Sequence, residues 1–103
     1  MIYSTVTMII KKGKMDEFIA ECKKIRPIVL SEKGCIMYDY THEIESGSNR
    51  QEPVNPDRIT LYEKWESMEA LDAHSATSHM IEFVSRVAPM RESVIIRTGT
   101  EAF

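Results

Sequence analysis

The sequence predicts an α+β domain, an antiparallel sheet carrying helices on one side. Three observations lead there. Hydrophobic residues alternate at the two-residue period of a strand from Ile2 to Ile10, then switch at Met15 to helical spacing. A polar, turn-rich stretch, ESGSNRQEPVNPD from Glu45 to Asp57, joins two further alternating segments as a long hairpin. A second helical pattern and a last alternating segment complete the order strand, helix, strand, strand, helix, strand. That order is the ferredoxin-like split βαβ arrangement.

Each element has a local cause. In the first strand Ile2, Val6, Met8 and Ile10 share one face, Tyr3, Thr5, Thr7 and Ile9 the other, and Lys11-Lys12-Gly13-Lys14 ends it. Phe18, Cys22, Ile25 and Val29 then recur on one helical face, with Asp16 and Glu17 in the first turn where the helix dipole favours anions. Pro27 lies inside this pattern and predicts a kink or an early end, because it removes a donor and crowds the preceding turn. Gly34 stops the segment.

Cys35 to Glu43 reads as the second strand, with Ile36, Tyr38, Tyr40 and His42 on one face, and Ile59 to Glu66 as the third. Ser67 caps a helix from Met68. A short helix over Ser78 to Ala88 is expected to pack Ile81, Phe83, Val84 and Val87 until Pro89 breaks it, and Val94 to Thr98 supplies the last strand. Large side chains on both faces of the first and third strands (Tyr3, Ile9 and Tyr62 on the second face) ask for cover that helices on one side cannot give. A dimer joining two sheets face to face is the expected answer.

Composition narrows the classes. At 103 residues with 43% hydrophobic and 28% charged residues, the chain is one folded domain spanning residues 1–103, not a disordered segment. A net charge of -3 without a basic block argues against nucleic acid as a partner. No apolar run approaches a membrane span, and the N-terminus reads as a strand rather than a secretion signal. Cys22 and Cys35 lack metal-ligand spacing and are too few for a disulfide scaffold, so a cytoplasmic location is expected.

The chemistry-bearing residues cluster near ITLYEKWE. Glu63 shares a strand face with Ile59, Leu61 and the single tryptophan, Trp65, and a buried charge is costly unless paired or used. Glu63 is therefore a base, an orienter of one, or a carboxylate paired with an arginine or a helix N-terminus. His74, late in the helix opened by Ser67, either accepts a substrate proton or satisfies the helix C-terminus. His79 opens the next helix, which is a structural position. The two histidines are five apart across a helix break, the wrong spacing for a helical metal pair. Tyr38 and Tyr40 can donate to a substrate oxygen or simply pack.

Taken together, Gly13-Lys14 and Phe18, the turn Glu32-Lys33-Gly34-Cys35 followed by Tyr38, Tyr62-Glu63-Lys64-Trp65-Glu66-Ser67, and Ala70-Leu71-Asp72-Ala73-His74 with His79 and Phe83 resemble the antibiotic biosynthesis monooxygenase domain. The resemblance runs over roughly Ile2 to Ile96. It implies a dimeric α+β barrel and, in many members, insertion of oxygen from dioxygen into quinols or aromatic polyketides without metal or flavin. Carried onto this chain, it implies Trp65 as a pocket wall whose N–H is aimed at substrate oxygen. It adds His74 or Glu63 as proton handlers, and Tyr38, Phe83 and His79 as substrate contacts. Haem-degrading relatives use an asparagine on the first strand; here that strand offers Thr5 and Thr7.

Three readings compete. The first is a cofactor-independent monooxygenase of a small quinol or hydroxylated aromatic. The second is a proton-transfer isomerase, which would need Arg58, Arg86 and Arg91 clustered as a phosphate cradle. The third is a non-catalytic binding module, which predicts a cavity filled by its own side chains, Glu63 paired, and His74 bonded to backbone.

Overall fold

A computed structural model describes residues 1–103. The elements run β1 (Ile2–Ile10), α1 (Met15–Leu30), β2 (Cys35–His42), β3 (Arg58–Trp65), α2 (Met68–Ser75), α3 (Ser78–Val87), a 3-10 turn (Ala88–Met90) and β4 (Arg91–Thr100). The sheet order is β2-β3-β1-β4, and every neighbouring pair is antiparallel. This is the predicted ferredoxin-like α+β fold. In the central strand β1, Ser4 lies between Glu63 and Thr98, and Met8 between Ile59 and Val94, so these residues share the inner face.

The helices bury that face. Phe18, Cys22, Ile25 and Val29 of α1 and Met80, Phe83 and Val87 of α3 meet Met8, Ile10, Ile59, Leu61 and Trp65 of the sheet. α1 does not stop at Pro27 but continues to Leu30, correcting the expected early end. Pro27 and Lys23, whose carbonyl the missing N–H would have reached, both lie on the exposed side. Water can satisfy the orphaned oxygen there, so the interruption is tolerable. On α3, Met80 is buried, while Ile81 and Val84 are exposed, against expectation. The helix is rotated so that Met80, Phe83 and Val87 form its inner stripe.

Two irregularities re-aim strand residues. On β2, Cys35 pairs with Trp65 but Met37 pairs with Lys64, so the register slips by one residue at Ile36. Ile36 consequently lies exposed, not beside Tyr38 as strict alternation predicts. On β4, Met8 pairs with Val94 and Ile10 with Arg91, a slip that brings Arg91 onto the inner face. β4 itself exceeds the expected Val94–Thr98 at both ends.

The turn into β2 has one requirement. Gly34 adopts φ +85, and a Cβ built on it would lie 2.6 Å from Ala70 Cβ. Only glycine fits where this turn crosses α2. The sheet's other face carries Tyr3, Ile36, Tyr62 and Ile95, each exposed and without a helix over it. No helix is long and apolar enough to cross a membrane.

Candidate active site

Five polar or aromatic side chains from four parts of the chain line up at one end of the sheet. Glu32, from the turn before β2, places Oε2 at 2.9 Å from His74 Nδ1 and 3.1 Å from His79 Nε2. The other nitrogen of His74, Nε2, lies 4.0 Å from Glu63 Oε1. The Trp65 N–H donates to that same Glu63 oxygen at 3.1 Å. The Trp65 and His74 rings pack against each other with centroids 4.7 Å apart, tilted by 38°. Local structure explains the placement. Ser67 accepts the backbone N–H of Ala70 and starts α2, and the backbone carbonyl of His74 accepts the Thr77 hydroxyl as α2 ends. Thr77 in turn caps α3 through the N–H of Met80, which sets His79 beside Glu32.

Because a carboxylate only accepts, its bond to Nδ1 puts a proton on Nδ1, and in the neutral ring Nε2 then carries the lone pair. Burial pushes the Glu63 carboxyl above the ordinary carboxylate range, and Glu32 adds to this; the Trp65 N–H and the neighbouring imidazole pull the other way. Burial likewise pushes the Tyr38 and Tyr40 hydroxyls upward, so both remain donors near neutral pH.

Beside this cluster is a cavity of about 470 Å³ between the inner sheet face and the helices. Its lining is mostly apolar, with Leu61, Phe83 and Met80 prominent, and Glu63, His74 and Tyr38 reach its wall. It opens between α2–α3 and β4, whose inward residues Val94 and Ile96 no helix covers. Such an apolar hollow with a few convergent polar groups is the usual form of a small-molecule site.

The structure places the predicted residues in two groups. Glu63, His74, Tyr38 and Phe83 line the cavity. Trp65 does not: it is fully buried behind them, its N–H engaged by Glu63 rather than directed at a substrate. His79 also stands outside the cavity, held by Glu32, and the expected substrate contact becomes a contact to that carboxylate. Arg58 pairs with Glu43 and Arg86 with Glu21, so the three arginines form no cradle; Arg91 alone reaches the cavity. No set of three histidine, cysteine or carboxylate groups converges as metal ligands would.

Sequence reasoning gave Glu32 no role, and it considered Arg91 only as part of a phosphate cradle, not as a lone cation in the cavity wall. Glu32 lay in the turn as a family mark without a role, and only its position before Gly34, which the fold holds against α2, hinted at its reach. Arg91 faces inward through a register slip that leaves no trace in the hydrophobic pattern.

A family model for antibiotic biosynthesis monooxygenases matches residues 1–86. The chain is 37% identical over 70 residues to an Escherichia coli K12 protein described as a probable quinol monooxygenase, YgiN; the match covers 68% of this chain and 62% of that relative's length. A conserved protein of Methanosarcina mazei has the same fold, with a TM-score of 0.85 and 26% identity over 97% of this chain and 91% of its own. A protein of Shewanella oneidensis follows at TM-score 0.82 and 26% identity, covering 97% of this chain and 89% of its own.

Proposed function

Since this chain belongs to the antibiotic biosynthesis monooxygenase family, we propose that it is a cofactor-independent monooxygenase of a small quinol or similar hydroxylated aromatic. One observation carries the reading. A roomy, largely apolar cavity ends on an imidazole whose far nitrogen is anchored by a carboxylate and whose near nitrogen is free to take a proton. In the proposed reaction His74 Nε2, assisted by Glu63, removes a hydroxyl proton from the quinol. The electron-rich anion then reacts with dioxygen. One oxygen atom enters a ring carbon and the other leaves as water, so a quinol and dioxygen give a hydroxyquinone and water. Four electrons pass to dioxygen, two from the quinol and two from the oxidised C–H bond. Tyr38 donates to the developing oxyanion, and the apolar walls keep bulk water away.

The rival readings find less support. A phosphate cradle is lacking, because two of its three arginines are paired elsewhere. The cavity is open, and His74 is bonded to a carboxylate rather than to backbone, against what a plugged binding module would need. The apolar outer sheet face supports a homodimer in which a second copy covers it, and free Cys22 and Cys35 suit a cytoplasmic setting.

Oxygen uptake with menadiol, with product analysis under labelled dioxygen, tests the activity. The expected result is a hydroxyquinone carrying one labelled oxygen, lost in His74→Ala and reduced in Glu63→Gln. Uptake no faster than autoxidation across several quinols, or hydrogen peroxide as the sole reduced product, would overturn it.

A further inference from the structure

The far end of the cavity from Glu63 and His74 carries an unpaired positive charge. Arg91 is the one lysine or arginine in the lining, and no carboxylate is paired with it. Its Nη1 reaches only the soft Met8 sulfur at 3.7 Å, and its buried Nε donates to nothing. Burial pulls the guanidinium's titration down, with the Tyr40 hydroxyl and Cys22 thiol, both uncharged near neutral pH, as the groups opposing it. A half-buried charge without a partner stabilises nothing, so its position calls for a reason. The register slip at β4 is what turns it inward; strict alternation from Val94 would have put Glu92 on that face instead.

We propose that Arg91 is the subsite for a carboxylate on the ligand, so that the cavity prefers a hydroxylated aromatic acid to a neutral quinol. The hydroxylated ring lies toward Glu63 and His74, and the acid arm reaches Arg91. The Tyr40 hydroxyl donates to that of Tyr38 at 3.5 Å, which leaves the Tyr38 O–H as a donor along the way. A guanidinium suits this task, since it stays charged and meets a carboxylate through parallel N–H bonds. The inference deepens the proposed oxygenation by naming the class of molecule that the same site accepts.

Binding measured by calorimetry without oxygen separates the two claims, because no turnover is involved. The probes are homogentisate (a quinol with a carboxymethyl arm), methylhydroquinone as its neutral counterpart, and phenylacetate as the acid without hydroxyls. Wild-type protein is expected to bind homogentisate at least tenfold more tightly than methylhydroquinone, and phenylacetate measurably. Arg91→Met should bind homogentisate and methylhydroquinone alike, and Arg91→Lys should keep part of the preference. Removing an unpaired, half-buried charge should also leave the melting temperature of Arg91→Met unchanged or raised; if that variant does not fold, the lysine variant's loss of preference decides. Equal wild-type affinities would overturn the proposal. So would tighter methylhydroquinone binding at alkaline pH with no phenylacetate binding, which would assign Arg91 to an ionised ring oxygen. If the acid is preferred but no quinol is oxygenated, the oxygenase reading fails while the subsite stands.

Discussion

Glu32 and His74 stand 42 positions apart in the chain, yet their side chains meet at 2.9 Å within the core's edge. The contact holds the imidazole's proton on Nδ1 and turns Nε2 toward Glu63 and the cavity. Glu32→Ala should therefore lower kcat by roughly 10- to 100-fold while changing KM little, because it frees a proton acceptor rather than a substrate contact. Nitrogen NMR of the His74 ring should show loss of the single Nδ1-protonated tautomer. An unaltered tautomer signature would remove Glu32 from this role.

Glu63 makes stability depend on pH. Its carboxyl is raised in the folded protein, so its contribution is fully present below the ordinary value of 4.5 and declines as pH rises through the raised one. Urea midpoints of wild type and Glu63→Gln, followed upward from about pH 4.5, should diverge in favour of the glutamine variant. Trp65→Phe removes an N–H that opposes the shift and should move the wild-type decline to higher pH. Parallel midpoints for wild type and Glu63→Gln would refute this.

Gly34→Ala should cost roughly 2–4 kcal/mol, the sum of a left-handed conformation with a Cβ and an overpacked contact against Ala70. Pairing it with Ala70→Gly should recover only the steric part. Full recovery in the double variant would show that backbone conformation contributes nothing.

The outer sheet face should behave as an interface. Wild type is expected to sediment near twice the 11.9 kDa chain mass at micromolar concentration. Tyr62→Glu, which sets a charge in the middle of the exposed apolar face, should sediment as a monomer. A monomeric wild type would dispose of the dimer.

Much of this architecture is legible in the sequence. Periods of two and 3.6 residues report which side of an element is apolar, and burial follows that side, so the order of β1 to β4, the buried stripe of α1 and the inward placement of Glu63 all follow from composition along short windows. The Ser67 cap is equally local.

Tertiary structure alone decided the rest. Pro27 is harmless because it faces solvent, and Ile81 and Val84 lie outward because α3 turns Met80 toward the sheet. Arg91 enters the cavity through a register slip against β1, at the other end of the chain, and Glu32 reaches His74 only because the turn before β2 packs beside α2. Which residues share a face is a property of one segment. Which residues share a site depends on how segments are registered against one another, and hydrophobic patterning does not encode single-residue slips.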